Sequence, residues 1–387
     1  MTTFEHWESP NLSLKENILR GIYNYGYKTP SSIQRKAIIP ITKGKDIIAQ
    51  SQSGTGKTGA YLIGALQHIQ EDVSHTQAVV LLPTRELAIQ THKVCNELAR
   101  YTRIKSYMLI GGTSLSDNIE FLKSNRPQII IGCVGRIHDM IQRNLLYLDT
   151  CKLFIMDEAD EMLSIGFKSH IQNIFSYLHQ DVQVLLFSAT LPPSIKEITS
   201  KFMRNPVEIL VEAPQLSLDG IQQYKLFTQN DHQKYEYIKS IFRSITMSQC
   251  IIYCNSVKRV CDLYDAMKED EFPVTFIHSN MNYRERQRCF NQFLHGKYRI
   301  LISSDLTARG IDIQQISLVI NFDIPFDKHV YIHRIGRSGR WGRKGCAINF
   351  VCRRDQNLLY DIEQWYKLEM EEFNTSQFEE KESTIET

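Results

Sequence analysis

Two short stretches of this chain carry residue types able to handle a phosphoanhydride. The first, SQSGTGKT at 51–58, follows an apolar run and leads into an amphipathic one, the strand–loop–helix setting of a phosphate-binding loop. Gly54 and Gly56 let consecutive backbone N–H groups turn toward an anion, and a helix beginning near Lys57 adds its positive end. Lys57 would reach the β- and γ-phosphates and Thr58 would help to hold Mg²⁺. The common G-x-x-x-x-G-K-[ST] spacing asks for a glycine where this chain has Ser51. The second stretch, KLFIMDEADEML, delivers Asp157 and Glu158 at the end of an apolar run, where open α/β sheets place their ligands. Two adjacent carboxylates cannot both be buried unpaired, so a cation must offset at least one of them. Asp157 suits Mg²⁺, and Glu158 suits orienting and deprotonating an attacking water.

The elements that must position these residues follow from hydrophobic periodicity. Between residue 46 and about 210 the short runs DIIA, AVVLLP, SYMLIGG, QIIIG, KLFIMD, VQVLLFSAT and PVEILV alternate with amphipathic stretches of helical length. Continuous apolar strands separated by helices predict a parallel sheet covered on both faces. VEAPQLSLDG, with Pro214 and Gly220, interrupts the pattern and reads as a linker. Alternation then resumes with QCIIYCN, VTFIHS, YRILISSD, SLVINFD and GCAINFV. The expected organisation is an N-terminal lead-in over 1–25, a first domain over 26–212, a linker over 213–220, a second domain over 221–370 and an acidic, disordered tail over 371–387.

Composition bounds what such a chain can be. At 387 residues it is long for one core, and 42% hydrophobic with 23% charged residues is the balance of a soluble globular protein. A formal net charge of +2 leaves no global field to hold a polyanion, so local basic patches must do so. Nine cysteines without a C-x-x-C pair exclude a zinc-ligand pattern and predict reduced thiols in the cytosol or nucleus. No signal-like or membrane-spanning apolar segment is present in the sequence.

Three further stretches join DEAD at 157–160 in order: PTREL at 83–87 before it, and SAT at 188–190 and HRIGRSGR at 333–340 after it. Together they resemble the DEAD-box RNA helicase family, over essentially residues 12–370. The resemblance implies two RecA-like domains, each a mainly parallel sheet flanked by helices, joined by a flexible linker. The family's loop has the form A-x-x-G-x-G-K-T, which asks for no glycine at 51, and the resemblance implies that Ser51, Gln52, Ser53, Gly54, Thr55 and Gly56 line the phosphates with Lys57 and Thr58. GYKTPSSIQ at 26–34 is similar to the adenine-reading Q motif, with Gln34 able to pair with the N7 and N6 edge and Tyr27 offering a ring. That family also places an aromatic upstream, where this chain has Ser9, with Phe4 and Trp7 nearby but out of register. Ser188 and Thr190 would couple hydrolysis to strand separation through Asp160.

RNA contacts are implied for Thr84 and Arg85, for Gly111 and Gly112 of GGT, and for Gly135 and Arg136, where CVGR replaces the family's T-P-G-R. In the second half Asn255, His278, Arg286 and Ser304 correspond to RNA-facing positions, and Tyr283 stands where the family has glutamine. Asp305 could accept from the ribose, Arg309 and Asp312 could tie the site to its neighbours, and the basic stretch from Arg334 through Arg343 and Lys344 supplies Arg337 and Arg340 as arginine fingers. The expected activity is RNA-stimulated ATP hydrolysis coupled to local, non-processive unwinding in a closed two-domain state. Translation initiation in the cytoplasm is the expected role, with a helical-repeat scaffold as activator, no membrane and a monomeric chain. A slow ATP-dependent RNA clamp and an RNA-independent nucleotidase are the alternatives.

Overall fold

The computed structural model describes residues 3–51, 55–164, 166–210, 221–244, 249–305, 316–338 and 345–373. The chain forms two compact units, Met1–Ala213 and Pro214–Thr387. The first runs α1 (Glu16–Tyr25), α2 (Ser32–Thr42), β1 (Ile47–Gln50), α3 (Lys57–His68), β2 (Ala78–Leu82), α4 (Arg85–Leu98), β3 (Ser106–Leu109), α5 (Leu115–Ser124), β4 (Ile129–Cys133), α6 (Val134–Gln142), β5 (Leu153–Asp157), α7 (Ala159–Ser164), α8 (Lys168–Phe175), β6 (Gln183–Ser188), α9 (Pro193–Phe202) and β7 (Val207–Leu210). Its strands make one sheet in the order β3-β4-β2-β5-β6-β1-β7, and every pairing is parallel. All seven apolar runs of the first half are strands.

That order explains how residues far apart in sequence meet. In a parallel sheet all carboxyl ends lie on one edge, and β5, β6 and β1 are neighbours there. Residues after β1, at the end of β5 and at the end of β6 are therefore brought side by side. The ends of β3, β4 and β2 fill the other half of the same edge.

The second unit runs β8 (Ile221–Phe227), α10 (Asp231–Ser244), β9 (Cys250–Tyr253), α11 (Val257–Glu269), β10 (Val274–Ile277), α12 (Tyr283–Leu294), β11 (Ile300–Ser303), β12 (Leu318–Asn321), α13 (Lys328–Ile335), β13 (Gly345–Val351), α14 (Gln356–Tyr366) and β14 (Glu371–Glu372). These strands form a second parallel sheet in the order β10-β11-β9-β12-β13-β8-β14. Both faces are covered. Cys250, Ile252, Ile300, Ile302, Leu318 and Ile320 enter one apolar cluster while the alternate residues Ile251, Tyr253, Leu301 and Val319 enter another, the two-sided burial that makes such strands read as continuous apolar runs.

The structure moves two boundaries and adds one strand that the apolar pattern does not show. The lead-in is not an appendage: Phe4, Trp7 and Leu12 are buried, and α1 belongs to the first unit. IQQYKLF, with its polar residues, does not read as a buried strand, yet it is β8, paired to β13 along its whole length. The acidic tail begins later than 371, because Glu371 and Glu372 pair with β8 and Met370 and Phe373 are buried on either side of them. Residues 374–387 and the linker 213–220 lie outside the described residues. The nine cysteines are all free thiols. Among the described residues no helix is long and apolar enough to cross a membrane.

Candidate nucleotide and RNA sites

The nucleotide candidates gather at the ends of β1, β5 and β6. Helix α3 starts at Lys57 behind Gly56, whose φ of +98° is one that side chains rarely adopt. Space is equally short, since a Cβ on Gly56 would lie 2.7 Å from Ser31 Oγ and 2.9 Å from Gln34 Nε2. Lys57 is buried and its Nζ donates to Glu158 Oε1 at 3.0 Å. Burial alone would lower the ammonium's pKa, but the charges of Glu158 and Asp157 outweigh it and the net shift is upward, so Lys57 is a fixed cation. Burial pushes Asp157 up to about 6, against the pull of Lys57. Its Oδ2 accepts from Tyr61 and its Oδ1 from the Glu158 N–H. Glu158 itself sits at φ +52°, an unusual backbone for a non-glycine residue of the kind held at functional sites.

The same four-residue turn reaches toward β6. Asp160 Oδ2 accepts from the Thr190 hydroxyl at 2.7 Å and from its N–H at 3.2 Å, and the Asp160 N–H donates to Ser188 Oγ. Thus 157–160 faces the phosphate-loop lysine with Glu158 and the Ser188–Thr190 turn with Asp160. Ser51 Oγ and Thr55 Oγ1 are 2.6 Å apart across the loop, while Gln52, Ser53 and Gly54 lie outside the described residues. Gln34 accepts from the Ser31 N–H and donates to the Gly56 carbonyl, which joins the adenine-reading candidate to the phosphate turn. Tyr27 stacks on the buried Trp7 with ring centroids 6.5 Å apart, so an aromatic from the lead-in meets it although out of register in sequence.

Two positions escaped the sequence reading. Tyr61 lies four residues after Lys57, one helical turn on the same face, and that spacing could have disclosed its contact with Asp157. A side chain at Gly59 would have to displace its neighbours: a Cβ there would lie 2.7 Å from Gln34 Nε2 and 3.0 Å from the Tyr27 hydroxyl.

The residues present fit Mg²⁺. Two adjacent buried carboxylates, Asp157 and Glu158, face one lysine, so one carboxylate charge is left for a further cation to offset. Mg²⁺ needs few protein ligands because it keeps several waters, and no cluster of three or more acidic, histidine or cysteine ligands occurs among the described residues.

The RNA candidates of the first unit occupy the other half of the edge. Thr84 caps α4 by accepting from the Leu87 N–H, and Arg85 lies within 3.3 Å of where a Gly111 Cβ would stand. Gly112 turns at φ +82°. Arg136 is held by the Thr113 hydroxyl and carbonyl and by Asn118 Oδ1, so it is oriented by the turn that carries Gly112. A Cβ on Gly135 would meet nothing within 4 Å, leaving its backbone approachable.

In the second unit several cations and amides expected to face ligands are engaged internally. Arg334 is fully buried and donates to Asp305 Oδ1 (2.6 Å), the Asp323 carbonyl (2.7 Å), Asn255 Oδ1 (2.7 Å) and Asn321 Oδ1 (3.3 Å). It is a cross-brace between strand ends and not a solvated member of a basic cluster. Asn255 also donates to the Ile324 carbonyl, and Arg286 is buried with Nη2 on the Ser279 carbonyl. Ser304 donates its N–H to the Ile277 carbonyl. Arg337 is buried, its Nε donating to the His333 carbonyl. Arg309, Asp312, Arg340, Arg343 and Lys344 lie outside the described residues, as does the side chain of Tyr283.

A parallel-sheet edge bearing a phosphate turn, a carboxylate pair and a relay to a Ser-Ala-Thr turn defines a nucleotide-driven motor, and comparison specifies which. The family model described as DEAD/DEAH box helicase matches residues 31–198, and that described as helicase conserved C-terminal domain matches residues 233–342. The chain belongs to the DEAD-box helicase family. It is 49% identical over 362 residues to the ATP-dependent RNA helicase eIF4A of Candida albicans, covering 94% of this chain and 91% of that one, and 48% identical over 362 residues to the protein of the same name from Saccharomyces cerevisiae. Among solved structures, S. cerevisiae Dbp5 bound to RNA and ADP BeF3 superposes with a TM-score of 0.89 at 32% identity, covering 97% of each chain. The two units are RecA-like domains.

Proposed function

We propose that this chain is an ATP-dependent RNA helicase that couples ATP hydrolysis to RNA binding and local duplex separation in translation initiation. One observation carries the reading: a single turn, 157–160, presents Glu158 to Lys57 at 3.0 Å and Asp160 to Thr190 at 2.7 Å. Chemistry at the phosphates and the Ser188–Thr190 turn therefore share one rigid piece of backbone. In this reading Tyr27 and Gln34 take the adenine, Asp305 the ribose, and the backbone of 51–58 the phosphates. Oxygens of the β- and γ-phosphates compete for Lys57 and so free Glu158, which then orients a water and accepts its proton. Thr58 and Asp157 would hold Mg²⁺, which supplies neutralisation of phosphate charge when bound. Arg337 and Arg340 serve the γ-phosphate, a role that contributes ~10³–10⁵ in rate in related chemistry. Turnover then depends on both units.

Thr84, Arg85, Gly112, Gly135 and Arg136, with Asn255, Arg286 and Ser304, are assigned to the RNA backbone. The named relatives support translation initiation as the setting, and a helical-repeat scaffold and the cytoplasm belong to the same reading. Dbp5, carrying RNA and a nucleotide on a chain of this fold, supports joint binding of both ligands. The test is Glu158→Gln. RNA-stimulated turnover should fall by roughly 10²–10⁴ while ATP and RNA still bind; turnover at the unmutated level removes Glu158 as the base.

A further inference from the structure

The second unit exposes large aromatics in a place the helicase reading leaves unused. Phe326 is 79% exposed, Tyr360 60% and Trp365 56%, and all three line one groove of about 670 Å³ between the start of α13 and the face of α14. Clustered exposure of this kind marks an interaction surface, whereas single exposed apolar residues do not. The local structure holds the platform in place: the Tyr366 hydroxyl donates to the Lys328 carbonyl, tying α14 to α13, and Leu359 and Ile362 anchor α14 in the core. The rings are thus presented by ordered helices.

The chemistry of the rim selects among occupants. Lys328, the groove's basic residue, has its Nζ 3.1 Å from the centroid of Trp365, so its charge is directed at that ring. Asp327 and Asp361 are exposed carboxylates of the same groove. Exposed aromatic rings would suit single-stranded RNA, but phosphates beside two carboxylates would be repelled. Tyr360 and Gln364 expose a hydroxyl and a carboxamide as hydrogen-bond donors. A ligand that matches has flat apolar rings, carbonyl acceptors without internal partners, and a positive charge.

We infer that this groove docks a proline-rich protein segment in polyproline II conformation with a basic residue at one end. Pyrrolidine rings lie on Trp365, Tyr360 and Phe326, unpaired peptide carbonyls accept from Tyr360 and Gln364, and the basic residue meets Asp361. The inference concerns the second unit alone and stands whether or not the helicase assignment is correct.

Fluorescence anisotropy tests it on the full chain, with a labelled decaproline carrying two arginines at one end, the same peptide carrying two glutamates, a basic amphipathic helical peptide and a ten-nucleotide uridine RNA. The arginine peptide should bind saturably, and Trp365→Ala should weaken it about thirtyfold, as loss of an interface anchor does. Phe326→Ser provides the same reading through a residue that is mostly solvent-exposed. Asp361→Lys should weaken the arginine peptide and strengthen the glutamate one. Far-ultraviolet circular dichroism and urea unfolding of all three variants should match the unmutated chain, showing that they fold. The inference is overturned by an arginine peptide that does not bind, by binding indifferent to Trp365→Ala and Phe326→Ser, by equal binding of the glutamate peptide, or by the helical peptide or the RNA displacing it from this groove.

Discussion

The two sheets have the same strand order, each strand of the second occupying the place of the strand seven earlier in the first. The correspondence extends to chemistry. Lys57 lies seven residues past the end of β1, and Lys234 lies seven past the end of its counterpart β8. Each is buried, and each faces a carboxylate at the carboxyl end of the fifth strand, Lys57 with Glu158 at 3.0 Å and Lys234 with Asp323 at 3.6 Å. The difference is what completes the balance. In the first unit one lysine faces Asp157 and Glu158, leaving an uncompensated carboxylate charge that a metal and a triphosphate would settle. In the second, Asp323 and Asp231 are each clasped by two nitrogens of Arg259, Lys234 also reaches Asp355 at 3.8 Å and the Phe322 carbonyl at 2.5 Å, and Arg354 lies 3.4 Å from Asp231 and 3.8 Å from Asp355, so that three cations meet three carboxylates. The same topological position is a binding site where charge is left open and a structural cross-link where charge is closed.

Removing the two lysines probes that contrast. Lys57→Ala should reduce RNA-stimulated ATP turnover by at least about 10³, the scale of losing phosphate-directed electrostatics, measured at saturating RNA. Lys234→Met should instead lower the stability of the second unit by roughly 3–5 kcal/mol, because it strands buried carboxylates that Lys234 helps to neutralise. Urea unfolding would show this, and turnover per folded molecule should remain near the unmutated value. If Lys234→Met abolishes turnover without destabilising the chain, the second cluster is functional and the contrast fails.

A finer test concerns the nucleotide side alone. Gly59 leaves room for the Gln34 amide and the Tyr27 ring. Gly59→Ala, placed on a helix where alanine is otherwise favoured, should displace both and raise the KM for ATP about tenfold with little change in kcat. An unchanged KM would mean that neither Gln34 nor Tyr27 needs its present position for the adenine.

How far the sequence discloses this molecule follows from which signals are local. The five inner strands of the first unit are legible because burial on both faces makes each a nearly unbroken apolar run, as in AVVLL and LFIMD, whereas the edge strands β3 and β7 are only partly buried and read from shorter apolar stretches. Strand β8, IQQYKLF, has only Tyr224 and Leu226 buried, so its composition does not betray its ladder. Asp160 and Thr190 could be paired beforehand through the resemblance. Arg334 could not be separated from its neighbours, because burial depends on Asn255, Asp305, Asn321 and Asp323, which come from three strand ends. Trp7 falls out of register in sequence, yet its ring reaches Tyr27 because contact depends on the path of the lead-in and not on residue count.

The smallest effect is expected where the two sheets offer different atoms at matching positions. Strands β4 and β11 hold the same place in their sheets, and at their carboxyl ends stand a thiol, Cys133, and a hydroxyl, Ser304. Burial pushes the Cys133 thiol up to about 12; Glu86 adds to the shift, while Arg85 and Arg136 oppose it. At pH 7–8 it therefore stays protonated, carries no charge to repel a phosphate, and offers only a weak S–H donor beside two RNA candidates. Cys133→Thr replaces that donor with a hydroxyl able to make an ordinary hydrogen bond, worth roughly 0.5–1.5 kcal/mol net. The expected outcome is RNA affinity improved about two- to tenfold, with kcat at saturating RNA unchanged, read by anisotropy of a labelled single strand. Equal affinity would place RNA away from the end of β4 and confine the contacts of this edge to Thr84, Arg85 and the Gly111–Gly112 turn.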